Sequence, residues 1–190
     1  VYLCHLTIWF GEMYKKKPFF IVFEGIEGSG KSYQIKKLYN NLKKKGLKLI
    51  KTREPGGTIG AERIRKLILK DYFGKNENEQ FDKYTDTLLY LAARNEHIQK
   101  IIEPALKKKK IVICDRFVDS TIAYQVSGKI VKQSFINNIH SEILKVKPNL
   151  TFVLKVNINK SLKRLKKRKV KNRYDKFSKS FYIKAQKAFL

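Results

Sequence analysis

Acidic residues, cysteine and histidine are all scarce in this 190-residue sequence, and each scarcity excludes something. The two cysteines, Cys4 and Cys114, lie far apart and lack metal-ligand spacing. They cannot make a disulfide framework, so a reducing, cytoplasmic location is expected. The three histidines, His5, His97 and His140, form no local cluster, and none reads as catalytic. No segment reaches the ~18 consecutive apolar residues of a membrane span. Val1 to Phe10 is apolar and aromatic but lacks the basic n-region of a signal peptide. Met13 then reads as the natural start, with residues 1–12 a non-native or disordered extension.

What the sequence has in excess is positive charge: 43 Lys+Arg against 16 Asp+Glu, a net charge of +27. Such a field attracts polyanions. The lysine runs Lys15–Lys17, Lys43–Lys45 and Lys107–Lys110 are scattered where helices end and loops begin. A nucleic-acid reader gathers its charge on one surface and interleaves aromatics. No specific nucleic acid is therefore expected as a partner. With 43% apolar and 31% charged residues, the chain has the composition of one folded domain.

Apolar runs and helical periodicities alternate along the chain. Phe19–Phe23 is continuous and apolar, as in a strand buried on both faces. A helix follows over Lys31–Lys45, with Ile35, Leu38 and Leu42 on one face and Gly46 as its stop. Leu47–Ile50 reads as a second strand. After Pro55-Gly56-Gly57 comes a helix carrying Ile64, Leu67 and Ile68. Residues 71–80 are loop-like. A longer helix spans Phe81–Ile102 with Leu88, Leu91, Ile98 and Ile102 at helical spacing. Ile111–Cys114 is a third strand, residues 134–145 a helix, and Leu150–Val156 a fourth strand. A basic helix follows over 159–168, then a loop over 169–174 and a further helix from Asp175. This alternation predicts an α/β fold: a mostly parallel sheet with helices on both faces, in three layers.

Gly25-Ile26-Glu27-Gly28-Ser29-Gly30-Lys31-Ser32 matches the phosphate-loop pattern, directly after a strand and opening a helix. Glycines let backbone N–H groups close on phosphate oxygens, and the helix N-terminus adds partial positive charge. In such a loop Lys31 reaches the β- and γ-phosphates and the Ser32 hydroxyl ligates Mg²⁺. The loop alone means nucleotide binding. The chain has neither an Asn-Lys-x-Asp guanine signature nor an apolar run ending in Asp-Glu.

Further motifs follow in order: Thr52-Arg53-Glu54-Pro55-Gly56-Gly57-Thr58, Leu88-Leu89-Tyr90-Leu91-Ala92-Ala93-Arg94, Asp115-Arg116-Phe117, Asp119-Ser120-Thr121 with Ala123-Tyr124-Gln125, and Arg168 with Asn172-Arg173-Tyr174-Asp175. The series resembles bacterial thymidylate kinases from about Phe19 onward. The resemblance implies a P-loop nucleoside-monophosphate-kinase-like fold with strand order 2-3-1-4-5, over a single domain 13–190 with a lid at about 166–176. It implies transfer from Mg-ATP to dTMP, giving dTDP for dTTP synthesis.

By that resemblance Arg116 and Arg65 bind the acceptor phosphate. Tyr90 stacks on the base and Arg94 hydrogen-bonds its edge. Thr121 and Gln125 contact the base, and Glu54 lies in the acceptor loop. Arg168 is the catalytic lid arginine beside Lys31, and Asp115 joins Ser32 at the Mg²⁺. A homodimer is implied as well. Three departures stand out. Tyr124-Gln125-Val126-Ser127-Gly128-Lys129 replaces the family's Tyr-Gln-Gly-Gly-Gly-Arg, which stiffens a loop. The lid is lysine-rich. The chain also stops where family members continue into a fifth strand, so a fragment of weak activity or solubility is expected. Another P-loop nucleotide or nucleoside kinase, or an inactive kinase fragment, is the competing reading.

Overall fold

The computed structural model describes residues 17–71, 81–169 and 172–190. The expected extension 1–12, most of the 71–80 loop and residues 170–171 of the expected lid fall outside those residues. Four strands, β1 (Phe19–Glu24), β2 (Leu49–Arg53), β3 (Ile111–Asp115) and β4 (Leu150–Val153), form one sheet in the order β2-β3-β1-β4. Every pairing is parallel. This is the order that the family resemblance implies for the first four strands.

The sheet forms because β1 and β3 are apolar on both faces, which only a doubly covered central strand can satisfy. Ile21, Phe23, Ile111 and Ile113 face helix α1 (Lys31–Lys44), which answers with Ile35, Leu38 and Leu42. Phe20, Val22, Val112 and Cys114 face the other layer, with Ile98, Ile102 and Phe117. Phe20 and Phe117 meet edge to face at 5.1 Å. Truncating such a buried ring costs about 3–5 kcal/mol.

Several boundaries differ from the sequence reading. Leu47 N donates to Leu42 O, so Leu47 and Lys48 close α1, and β2 starts at Leu49 and runs on to Arg53. Helix α2 (Ile59–Lys66) widens into a π turn, Leu67–Asp71. Helix α3 (Lys83–His97) starts after Asp82, whose carboxylate accepts from Tyr84 N. It passes through a second wide turn, Ile98–Ile102, into α4 (Glu103–Lys107). Leu88 was expected on the buried face of α3 but is 47% exposed. The buried face instead carries Asp86, Thr87, Leu91, Ala93, Arg94 and His97. A helix that lines a polar site buries polar residues, and apolar periodicity then misplaces its inner face.

Helix α5 (Val118–Thr121) runs through a wide turn, Ile122–Val126, before α6 (Gln133–Ile143). Strand β4 ends at Val153 because its partner β1 ends at Glu24 and turns away, Leu154 N making the last bond to Glu24 O. Helix α7 (Ile158–Lys166) is followed by one 3₁₀ turn at Arg173–Lys176 and by α8 (Lys179–Phe189). The last helix thus begins later than Asp175, where Ser178 caps it by accepting from Phe181 N. Among the described residues no helix is long and apolar enough to cross a membrane.

Candidate active site

All the strand ends that carry motifs point the same way. β1 ends in Glu24 and delivers the loop Gly25–Gly30. β2 ends in Arg53 and delivers Glu54. β3 ends in Asp115 and delivers Arg116. Arg53 and Asp115 are register partners, as are Phe23 and Asp115. Ligands of open parallel sheets bind outside such carboxyl ends. A cavity of about 760 Å³ opens there. It is lined by every candidate residue from the sequence except Gly25 and Ile26.

Those two exceptions hold the loop rather than line it. Lys31 Nζ donates to Gly25 O at 2.8 Å and to Ile26 O at 3.0 Å. Gly25 has φ 128°, and a Cβ there would lie 2.6 Å from the Leu154 carbonyl oxygen. Only glycine combines that backbone with that closeness. Burial and the neighbouring Arg116 charge draw the Lys31 ammonium down to about 8, against the pull of Asp115, Glu27 and Glu24. Ser32 Oγ donates to Asp115 Oδ2 at 3.2 Å. This places a hydroxyl and a carboxylate together at the mouth of the loop.

Arg116 sits in a left-handed turn, φ 77°, a conformation that costs about 1–3 kcal/mol and clusters at functional sites. The turn is held by Glu24, a fully buried carboxylate accepting from Phe117 N, Ser120 N and Ser120 Oγ. Burial pushes Glu24 up to about 7, although Arg116 and these donors oppose it. The Arg116 guanidinium donates to Gly25 O at 3.0 Å, Ser120 Oγ at 3.0 Å and Glu27 Oε1 at 2.7 Å. Tyr124 OH donates to the other Glu27 oxygen at 2.5 Å. Burial would raise the Glu27 carboxyl, but Arg116 and Lys31 outweigh it and hold it below the usual carboxylate range.

On the opposite wall Arg94 and Glu54, 3% and 5% exposed, pair at 2.8 Å. Burial alone would raise Glu54. Arg94 and His97 overcome that and keep it ionised. Arg94 also donates to Thr121 Oγ1, His140 Nε2 and Phe117 O. Arg65 Nη1 donates to Pro55 O at 2.8 Å and so lies along the same rim. Tyr90 meets the hydroxyl of Tyr174. Gln125 Nε2 is buried and has no partner among the described residues. That makes it a donor awaiting an acceptor.

Several site residues were not singled out from sequence. Tyr124 belongs to the Ala123-Tyr124-Gln125 motif, where the sequence assigns it no role of its own. Arg164, hidden in a lysine-rich helix, lines the cavity and donates from Nη1 to Gly28 O at 2.7 Å. Arg168 lines the same cavity, whereas Arg173 pairs with the buried Asp86 on α3. Lys129, at the position where the resembled family has arginine, also reaches Asp86, at 2.9 Å. His97 and His140, read as non-catalytic, brace Glu54 and Arg94 from behind.

Among the described residues no cluster of three or more His, Cys, Asp or Glu could hold a metal by itself. The Ser32–Asp115 pair still fits Mg²⁺, which takes oxygen ligands and is held by one or two protein groups together with substrate phosphates.

A family model described as "Thymidylate kinase" matches residues 23–190. A thymidylate kinase of Mycoplasma capricolum subsp. capricolum is 41% identical over 174 residues, covering 90% of this chain and 79% of that protein. One from Wolbachia sp. subsp. Brugia malayi is 44% identical over 173 residues, covering 90% and 78%. The crystal structure of thymidylate kinase from Ehrlichia chaffeensis superposes with a TM-score of 0.72 at 35% identity, over 91% of this chain and 85% of that one. A family model over residues 23–190 and relatives of this identity and coverage show that the chain belongs to the thymidylate kinase family.

Proposed function

We propose that this protein transfers the γ-phosphoryl group of ATP to dTMP, with the residues of the shared cavity in the following roles. The observation that carries the reading is that one cavity joins Lys31 and Ser32 to Arg116, Tyr90, Arg94, Thr121 and Gln125. The phosphate loop and Lys31 hold the ATP phosphates. Arg116 and Arg65 hold the dTMP phosphate, since forked guanidinium groups fix phosphate oxygens in direction as well as distance. Tyr90 offers a face to the base, and Arg94, Thr121 and Gln125 offer its edge hydrogen-bond partners. Ser32 and Asp115 would hold Mg²⁺, which neutralises charge on the β- and γ-phosphate oxygens when bound.

An oxygen of the dTMP phosphate attacks the γ-phosphorus, and the bond from that phosphorus to the β,γ-bridging oxygen breaks. The products are dTDP and ADP. The attacking phosphate is already ionised, so no general base is required. Catalysis is positioning and charge stabilisation. Arg164 and Arg168 close over the transferring group and exclude water.

The test is ADP formation by the full chain with Mg-ATP and dTMP, dUMP, dCMP, AMP or thymidine offered singly. Preference for dTMP supports the reading, and preference for another acceptor overturns it. Arg116→Ala is expected to raise the KM for dTMP at least tenfold and that for ATP far less. Equal losses for both substrates would remove Arg116 from the acceptor site.

A further inference from the structure

We propose that His140 is a positioning residue for base selection: its unprotonated Nε2 fixes the Arg94 guanidinium so that one N–H stays available to an acceptor in the cavity. The proposal rests on the reading of Arg94 as a base contact.

A guanidinium has five N–H donors in one rigid plane. Four of those of Arg94 are committed. Nε donates to Glu54 Oε2 at 2.8 Å, Nη1 to Thr121 Oγ1 at 2.8 Å and to His140 Nε2 at 2.9 Å, and Nη2 to Phe117 O at 2.8 Å. The remaining N–H, on Nη2, has no partner among the described residues, and Arg94 lines the cavity. Its acceptors come from four places in the chain: the loop after β2, the end of α5, helix α6 and the loop after β3. The plane cannot turn without losing several bonds at once.

A fixed N–H distinguishes pyrimidines by charge pattern. Where thymine carries an accepting O4, cytosine carries the N4 amino donor. Arginine has no acceptor to offer that amino group. Sites built around a buried hydrogen bond reject the analogue that cannot make it.

Three of the four acceptors, Glu54, Thr121 and Phe117, line the cavity themselves, whereas His140 does not. It stands behind Arg94, 7% exposed, and can influence a ligand only through the arginine. To accept, its Nε2 must carry no proton, so the ring is neutral with hydrogen on Nδ1. Burial and the Arg94 charge hold the imidazole in that state by lowering its pKa to about 4, against the opposite pull of Glu54.

The test compares full-length His140→Gln, which keeps an acceptor near the Nε2 position, with His140→Leu, which keeps volume but accepts nothing. His140→Leu is expected to raise the KM for dTMP about tenfold, as one buried donor left unpaired implies. It should lower the preference for dTMP over dCMP by a similar factor and leave the KM for ATP within about twofold. His140→Gln should stay within about threefold of wild type on every measure. Equal losses in the two variants, no loss in His140→Leu, or a loss shared with ATP would overturn the proposal. Should His140→Leu not fold, nitrogen-15 NMR of the wild-type imidazole decides: a proton on Nε2 refutes the role, and a bare Nε2 whose shift moves with dTMP supports it. Arg94→Leu separates the two levels. If it leaves the dTMP preference intact, the base-contact reading falls and the proposal with it. If it abolishes the preference while both His140 variants keep it, only the positioning role falls.

Discussion

Replacing Glu54 by leucine removes the carboxylate that Arg94 faces in the interior. The pair is 2.8 Å long, with side chains 3% and 5% exposed. The same carboxylate accepts from His97 Nδ1 at 3.2 Å. Leucine roughly keeps the volume, so little of the loss comes from a cavity. What remains is a guanidinium buried without its counter-charge. Breaking a buried pair by deleting one partner costs about 3–5 kcal/mol. For a domain of this size that is about 6–20 °C of melting temperature.

The adjacent residue supplies the control. Arg53 pairs with Glu62 at 2.9 Å, but those side chains are 54% and 40% exposed, and such pairs contribute about 0–1 kcal/mol. Glu62 also accepts from Gly57 N at 3.0 Å, which adds about 1 kcal/mol. Urea unfolding of Glu54→Leu and Glu62→Ala, without nucleotide, should therefore separate by at least about 1 kcal/mol. If the two variants lose the same amount, burial is not what distinguishes these neighbouring pairs, and the account of Arg94 as a hub fails.

Other predictions follow from single contacts. Gly57 has φ 93°, and a Cβ there would lie 2.5 Å from the His97 ring. Gly57→Ala should lose about 2–4 kcal/mol in the same unfolding assay, from backbone strain plus a displaced histidine. Arg164 is exposed and, among the described residues, hydrogen-bonds to the Gly28 carbonyl. Arg164→Ala should leave the melting temperature within about 2 °C while kcat falls tenfold or more. The folded-state pKa of His140, about 4, lies below its unfolded value. Its neutral form therefore stabilises the fold above about pH 6.5, and that stability is lost as pH falls toward 4. Glu24, raised to about 7, acts with the opposite sign over much of that window. The difference between wild type and His140→Gln isolates the histidine, and parallel pH profiles would contradict the assignment.

The parts of the site that were legible in sequence are those built by local chain. The phosphate loop is eight consecutive residues whose glycines and Lys-Ser pair have no other joint explanation. The central strands were legible because only burial on both faces permits runs such as Ile111–Cys114. The order of the first four strands came with the resemblance and matches the sheet. What the sequence hid is contact between distant segments. Arg94 finds Glu54, Thr121 and His140 from separations of 40, 27 and 46 residues, and no spacing rule couples such positions. Leu88 was misplaced for a related reason. Periodicity assumes that the buried face of a helix is apolar, and α3 buries Asp86, Arg94 and His97 instead. Arg164 was lost among lysines, since composition cannot say which of many cations bends back over the phosphate loop.

The parallel register has a kinetic consequence. β1 pairs with β3 through Phe19↔Ile111 and with β4 through Ile21↔Leu150, so no two neighbouring strands are close in sequence. Such long loops must close before any pairing is rewarded, and folding of this kind is slow. During synthesis the phosphate loop emerges well before either strand that flanks β1, since β3 starts only at Ile111 and β4 at Leu150. It waits as exposed glycine-rich chain beside an unpaired apolar strand. Nucleotide held by the finished cavity can therefore stabilise only the assembled sheet. It acts by mass action on the last step and gives no guidance to the earlier ones.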